Sequence, residues 1–330
     1  MDVFRFTREL IDIESVTGNE KPVAVFLRDR LQELGAAVSL EDAEPGRPNV
    51  VATWGRPAVV LSTHLDTVPP FFPSREDEQF IYGRGACDAK GIIAAQVEAA
   101  TRLRALGVGD FGLLFVVGEE KNNAGALAAN RNPRGARYLI NGEPTDNRLA
   151  VGTKGVLRLE LIATGRMCHS AYPELGESAI EKLLEALHRL RALELPADPL
   201  LGPTTCNIGT IQGGVAPNVV PGSARAELMY RLVSSGDALL DEVRRAVGSL
   251  VTVQKVLELP PVRLSTLEGF ETTVVAFATD IPSLTAWGRP YLIGPGSVRV
   301  AHTENEHIAK SELVQAAEIY VNMVQRLQRE

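Results

Sequence analysis

"AVVLSTHLDTVPP", residues 58–70, is the stretch that decides the fold. A short apolar run ends in a histidine and an aspartate one residue apart, and two prolines then stop it. An apolar run of this length without alternation reads as a strand buried on both faces, as in a parallel sheet covered by helices. Side chains two apart on an extended chain point the same way, so His64 and Asp66 can face one cleft. Ligand sites in open α/β sheets lie at the carboxyl ends of the strands, and this pair stands at such an end.

The neighbouring segments repeat the pattern. "FGLLFVVGEE" (111–120) is a second buried strand that ends abruptly in charge, at Glu119 and Glu120. "ARYLINGEPT" (136–145) does the same and delivers Glu143. In "EKPVAVFLRDRLQELG" (20–35) Val23, Leu27, Leu31 and Leu34 share a helical face, with Pro22 in the first turn and Gly35 as the C-cap. "KGIIAAQVEAATRLRALG" (90–107) is a helix rich in small residues. Strands alternating with helices predict an α/β domain with a mostly parallel sheet.

The period changes near residue 155. In "GVLRLELIATG" (155–165) Leu157, Leu159 and Leu161 alternate with Arg158 and Glu160, which predicts a sheet with one covered face. "ARAELMYRLV" (224–233) alternates too, with Ala226, Leu228 and Tyr230 opposite Arg225, Glu227 and Arg231. "ESAIEKLLEALHRL" (177–190) and "DALLDEVRRAVGSL" (237–250) are amphipathic helices. The buried α/β character returns after about residue 265 and ends in the helix "SELVQAAEIYVNMVQRLQ" (311–328). An α+β domain over 154–265 is therefore expected as an insertion into a larger domain of 1–153 and 266–330.

Composition bounds the function. The 330 residues are 45% hydrophobic and 23% charged, as in a globular protein long enough for one large core or for two domains. A formal charge of -7 disfavours a dedicated nucleic-acid binder. Three cysteines, Cys87, Cys168 and Cys206, form no disulfide framework and no CxxC pair, which fits a reducing compartment. No signal-peptide core and no run long enough to span a bilayer is present, so the cytoplasm is expected, with no membrane partner.

The residues at the strand ends carry the chemistry. His64 and Asp66 are joined by Asp88 in "GRGACDAKG" (83–91), by Glu119, Glu120 and Glu143, and by His302 in "AHTENEHI" (301–308) after a Gly-Pro-Gly loop. Two imidazoles and several carboxylates on one sheet edge make a divalent metal site, and the nitrogen and oxygen donors suit zinc, with cobalt or manganese as substitutes. A shared carboxylate would give two ions roughly 3.5–4 Å apart. Without metal, so many carboxylates would raise one another's pKa values. The glycines around Asp88 lack a Walker pattern and read as a tight turn. His307 reads as a solvent-exposed residue at the start of the last helix rather than a ligand, His188 as structural, and Cys87 and Cys168 as packing residues.

With these pieces in place, the sequence resembles the M20 family of metallopeptidases and deacylases. It is closest in style to the acetylornithine deacetylase and succinyl-diaminopimelate desuccinylase branch, which includes the amino-carrier-protein lysine and ornithine hydrolases. The resemblance rests on "STHLDTVP", "GRGACDAKG", "GEE", "GEPT", "GRMCHSAYPELGESAI", "GGVAPNVVPGSARAE" and "GPGSVRVAHTENEHI", in family order over nearly the whole chain. It implies that His64, Asp88 and Glu143 hold one zinc, and Asp88, Glu120 and His302 the other. It makes Glu119 the general base, and Asp66 the partner of the far nitrogen of His64. It implies that His169 is an oxyanion donor reaching the partner subunit's site. Asn218, Arg231 and the backbone at Gly296 would contact a substrate carboxylate. The implied fold is a zinc-hydrolase core with a ferredoxin-like lid through which two copies form a homodimer. Ser178, where the family usually has Asn, and "LVSSG" after Arg231 depart from the pattern.

The expected activity is hydrolysis of an N-acyl amino acid or short peptide by a di-zinc amidohydrolase, in style an acetylornithine deacetylase of amino-acid biosynthesis. Desuccinylation of diaminopimelate, release from a carrier protein and dipeptide or carboxypeptide cleavage remain open. A non-catalytic metal-binding homologue is a reading of another class, and the intact Glu119–Glu120 pair argues against it.

Overall fold

The computed structural model describes residues 1–330. The chain forms two compact units, one of residues 1–151, 264–273 and 279–330, the other of residues 152–263 and 274–278.

The first unit is built on a six-stranded sheet. Its strands include β1 (Ala37–Glu44), β2 (Arg47–Trp54), β3 (Val59–His64), β4 (Phe111–Val116) and β5 (Tyr138–Asn141). The order is β1-β2-β4-β3-β5, closed by the strand Arg289–Leu292. β3 runs parallel to β4 and to β5, and β5 parallel to Arg289–Leu292. β1 and β2 are antiparallel to each other, and β2 is antiparallel to β4. The sheet is mostly parallel and is mixed only through β2, which runs against the other five strands. The physical reason is the two-residue link Pro45-Gly46, with Gly46 at φ 75, which closes a hairpin too tight for a parallel crossover.

Alternation sorts the buried strands onto two cores. Val59 and Leu61 of β3, with Phe111, Leu113 and Phe115 of β4, face a cluster that takes in α1 (Val3–Ile11), α2 (Lys21–Glu33), α3 (Lys90–Ala105) and the closing helix Lys310–Arg329. Val60, Leu114 and Val116 face the opposite way, onto Ala126 and Ala129 of α4 (Ala124–Asn130) and onto Trp287. Each fully buried leucine or valine of this kind contributes about 1.5–3 kcal/mol, and the two-sided burial is why these strands read as unbroken apolar runs.

The second unit has a four-stranded antiparallel sheet of β6 (Gly155–Thr164), β7 (Thr205–Gly213), β8 (Ser223–Leu232) and β9 (Thr252–Leu259), in the order β7-β8-β6-β9. α5 (Ala179–Arg191) follows β6 and α6 (Gly236–Val247) follows β8. Leu157, Leu159 and Leu161 of β6 and Ala226, Leu228 and Tyr230 of β8 pack with Leu183, Leu187, Leu240 and Val243 of these helices. β6, α5, β8 and α6 are the period-two segments and amphipathic helices read from the sequence, and β7 and β9 are strands that reading did not include. Ser178 is the N-cap of α5, its Oγ accepting from the Glu181 amide at 3.2 Å, so serine does there what asparagine would do.

Candidate metal centre

Parallel register brings three strand ends level. His64 lies opposite Val116, and Ser62 opposite Asn141. The chain leaves β4 through Gly118, at φ 79, and presents Glu119 and Glu120; it leaves β5 through Gly142 and presents Glu143. Asp88 arrives from the loop before α3. His302 arrives from the loop after Arg289–Leu292, in the left-handed region at φ 62.

The side chains converge. His64 Nε2 lies 2.9 Å from Asp88 Oδ1. His302 Nε2 lies 2.9 Å from Glu120 Oε1 and 3.3 Å from Asp88 Oδ2. His64, Asp88 and Glu143 each offer a ligand atom, all within 4.8 Å of one another, and so do Asp88, Glu120 and His302. The two sets share Asp88. Glu143 Oε1 is buried with no hydrogen-bond partner, an arrangement that is costly for a polar atom unless something else satisfies it. Nitrogen and oxygen donors at this spacing, with an orphaned buried carboxylate oxygen among them, fit a pair of divalent cations.

The electrostatics agree. Burial, with Glu143 next, pushes the Glu119 carboxyl well above its ordinary value. Burial does the same to Glu143, with Asp88 adding to it, and raises Glu120. His302 is pushed up to about 10 by its hydrogen bonds to Asp88 and Glu120. Burial opposes protonation of His64, but Asp66 and Asp88 together raise it well above the usual imidazole range. Asp88 is held low: burial would raise it, but hydrogen bonds from His302 and His64 outweigh that. Protons stand here where cations of higher charge would serve the same carboxylates.

Asp66 sits differently from the sequence expectation. The far nitrogen of His64 meets the Asp66 backbone carbonyl at 2.9 Å, while the carboxylate Oδ1 is 3.6 Å away. The Asp66 carboxylate instead accepts the amides of Gly118, Glu119 and Glu120 at 3.0, 3.1 and 3.3 Å, and the Thr17 hydroxyl at 2.8 Å. It fixes the turn that bears the two glutamates, and the short backbone reach of a residue two after His64 takes over the tautomer.

The remaining candidates divide between the units. Gly296, at φ 84 and buried, has Cys87 so close that an added Cβ would lie 2.6 Å from the cysteine Cβ. In the second unit, exposed His169 bridges Val219, and the Ser170 amide donates to the Asn218 carbonyl at 3.0 Å, so His169 and Asn218 are neighbours. Arg231 is half-buried on the face of β8 opposite Leu228 and Tyr230, and burial, with no opposing carboxylate, lowers its pKa. His307 donates to or accepts from no acid; its Nδ1 meets the Asn305 carbonyl at 2.6 Å and its ring sits edge-on to Phe80.

Two buried acids escaped the sequence reading. Asp280, pushed up to about 6 by burial, accepts from Asn123 Nδ2 at 2.9 Å, just past the Glu119–Glu120 turn. Glu306 is fully buried beside the Asp88 loop. Its only sequence signal was an acid four residues after His302, within a segment that otherwise reads as solvated charge.

Peptidase family M20/M25/M40 matches residues 60–326 of this chain. A peptidase M20 domain-containing protein of Schizosaccharomyces pombe is 41% identical over 96% of this chain and 82% of its own length. The chain belongs to peptidase family M20/M25/M40. As an M20 protein it is a metal-dependent hydrolase of linear amide C–N bonds. A second M20 relative, a probable carboxypeptidase of Aspergillus clavatus, is 41% identical over 97% of this chain and 81% of its own length. Among solved structures, a tripeptidase of Staphylococcus aureus superposes with TM-score 0.83 at 22% identity, covering 99% of this chain and 98% of the other. A dinuclear metal-binding M20 peptidase of Bacillus subtilis superposes with TM-score 0.72 at 17% identity, covering 99% and 98%. At these identities the two structures establish the fold. The relatives carry peptidase and carboxypeptidase names, whereas the motif style pointed to the deacetylase and desuccinylase branch.

Proposed function

We propose that this M20 hydrolase removes the C-terminal residue of a short peptide or N-acyl amino acid, using two divalent ions. The observation that carries the reading is the pair of three-donor sets sharing Asp88. The carboxypeptidase name of the Aspergillus clavatus relative supports the substrate class. An N-acetyl or N-succinyl amino acid is the smallest substrate of the same kind, so deacylation of the acetylornithine type falls within this chemistry.

In this reading His64, Asp88 and Glu143 hold one ion and Asp88, Glu120 and His302 the other. The ions, zinc with cobalt or manganese as substitutes, would supply Lewis acidity and a lowered pKa for the attacking water. Glu119 accepts the water proton and returns it to the departing amine nitrogen. The carbonyl oxygen becomes an oxyanion as the tetrahedral carbon forms, and in a homodimer His169 of the partner subunit would donate to it. Arg231, Asn218 and the backbone at Gly296 bind the free carboxylate. An unpaired, partly desolvated guanidinium grips a carboxylate strongly because both hydrogen bonds are charge-assisted.

The inserted domain, 154–265 in this reading, would act as a ferredoxin-like lid and join two copies into a homodimer. β7 supports this: it is an edge strand, exposed along nearly its whole length, and such edges invite pairing with another chain.

The test is a panel of N-acetyl, N-succinyl and γ-glutamyl amino acids, dipeptides and tripeptides, each with a free and an amidated C-terminus. Metal-loaded protein should cleave the free-acid members much faster than the amides. Equal cleavage of both forms would refute the carboxylate requirement.

A further inference from the structure

Glu306 makes an unusual set of contacts for a residue outside the donor sets. Its Oε1 accepts the backbone amides of Gly85, Cys87 and Asp88 at 2.9, 3.3 and 3.2 Å. Its Oε2 takes Arg84 Nη1 at 2.6 Å. Arg84 and Glu306 are 2% and 0% exposed. Arg84 also donates to the Pro70 carbonyl at 3.2 Å and to the Thr303 carbonyl at 3.4 Å, and lies over the Phe72 ring. The Gly83 amide returns to the Glu306 carbonyl at 3.1 Å, continuing the antiparallel pairing of residues 80–82 with 307–309. One ion pair therefore ties together the loops at 70–72, 84–88 and 302–306.

A buried ion pair is weak as a source of stability, since desolvation of both charges offsets their attraction. What this one does is geometric. The amides at 85, 87 and 88 converge on one carboxylate oxygen, a backbone cradle suited to an anion, and the anion comes from the loop that carries His302. We propose that Glu306 is a positioning residue for the metal centre, setting Asp88 and His302 relative to each other. This rests on the two-ion reading above. Two of the three donors in the set Asp88, Glu120 and His302 sit on loops that Glu306 joins. Only Asp88 does so in the other set, where His64 ends β3 and Glu143 follows β5. Metal–ligand distances tolerate only about 0.2 Å, so loosening Glu306 weakens the second ion more than the first.

Glu306→Gln keeps the shape but brings an NH2 group against either Arg84 or the amide cradle, donor to donor. The experiment strips the protein with chelator and titrates it with Co2+ alone, followed by visible absorbance and calorimetry. Wild type is expected to show two binding events. Glu306→Gln is expected to keep the first near its wild-type affinity and weaken the second by about 10–100-fold. If that variant does not fold, Arg84→Lys is measured instead. A lysine cannot serve Glu306, Pro70 and Thr303 together, and the same preferential weakening is expected. Equal weakening of both events, or none, overturns the proposal. A wild type that takes up one ion overturns the two-ion reading and this proposal with it, whereas two unchanged events in the variant overturn this proposal alone.

Discussion

The backbone carbonyl of Asp66, rather than its carboxylate, meets Nδ1 of His64, at 2.9 Å. The carboxylate is thereby free to hold the amides of Gly118, Glu119 and Glu120. Asp66→Asn should leave the His64 tautomer intact, because the carbonyl remains. It should disturb the glutamate turn, because an amide can present only one acceptor atom to these donors. Activity is expected to fall by about 10–100-fold, with metal bound at His64, Asp88 and Glu143 retained. Metal analysis beside steady-state kinetics checks this; loss of all metal would return Asp66 to the role of a histidine orienter.

Glu119→Gln separates proton transfer from metal binding. Glu119 belongs to neither three-donor set, so the variant should hold its full complement of metal. The rate should drop by about 10²–10⁴, the range for removing a general base. A variant that loses metal in proportion to activity would make Glu119 a ligand instead.

Much of this site was legible because it lies at the ends of apolar strands. His64, Glu119, Glu120 and Glu143 each end or follow a buried run, and parallel register brings such ends level. Period-two alternation likewise marks β6 and β8 in the sequence. Other parts left no mark. The Asp66 carboxylate is held by backbone amides, which every residue except proline carries, so no residue type announces them. Glu306 meets Arg84 across 222 positions of chain, and a lone glutamate in a charged loop reads as solvated. The antiparallel edge of the sheet depended on the Pro45–Gly46 hairpin, which sets direction without altering the apolar pattern.

Metal binding should release protons. In the metal-free site His302 stands at about 10 and Glu143 and Glu119 are raised well above the carboxylate range. His302 holds a proton at neutral pH that a cation must displace, and the raised carboxyls add to the proton release in the same direction. The sign follows: lower pH favours the protonated, metal-free form, so apparent metal affinity should rise between about pH 6 and 8. Calorimetric titration in two buffers of different ionisation enthalpy measures the protons released. The stripped protein should also melt at lower temperature, since ligand bound only to the folded state stabilises it. Affinity that falls with pH over this range would contradict the donor assignment.

Arg231 offers the sharpest test of substrate class. Its guanidinium is half-buried on the face of β8 away from Leu228 and Tyr230, with no carboxylate of its own chain to neutralise it. A substrate carboxylate that takes no part in bond making or breaking keeps the same contacts in ground and transition states, so losing its partner should raise KM and leave kcat nearly unchanged. Charge-assisted hydrogen bonds contribute about 1.5–3 kcal/mol, which sets the expected rise for Arg231→Met at about 10–100-fold. Arg231→Lys should fall between, because an ammonium keeps the charge and loses the bidentate fork. The decisive comparison uses a C-terminally amidated substrate, for which wild type and Arg231→Met should behave alike. If the variant loses as much on the amide as on the free acid, Arg231 supports the strand rather than reading the substrate, and the carboxypeptidase assignment loses its only cationic anchor.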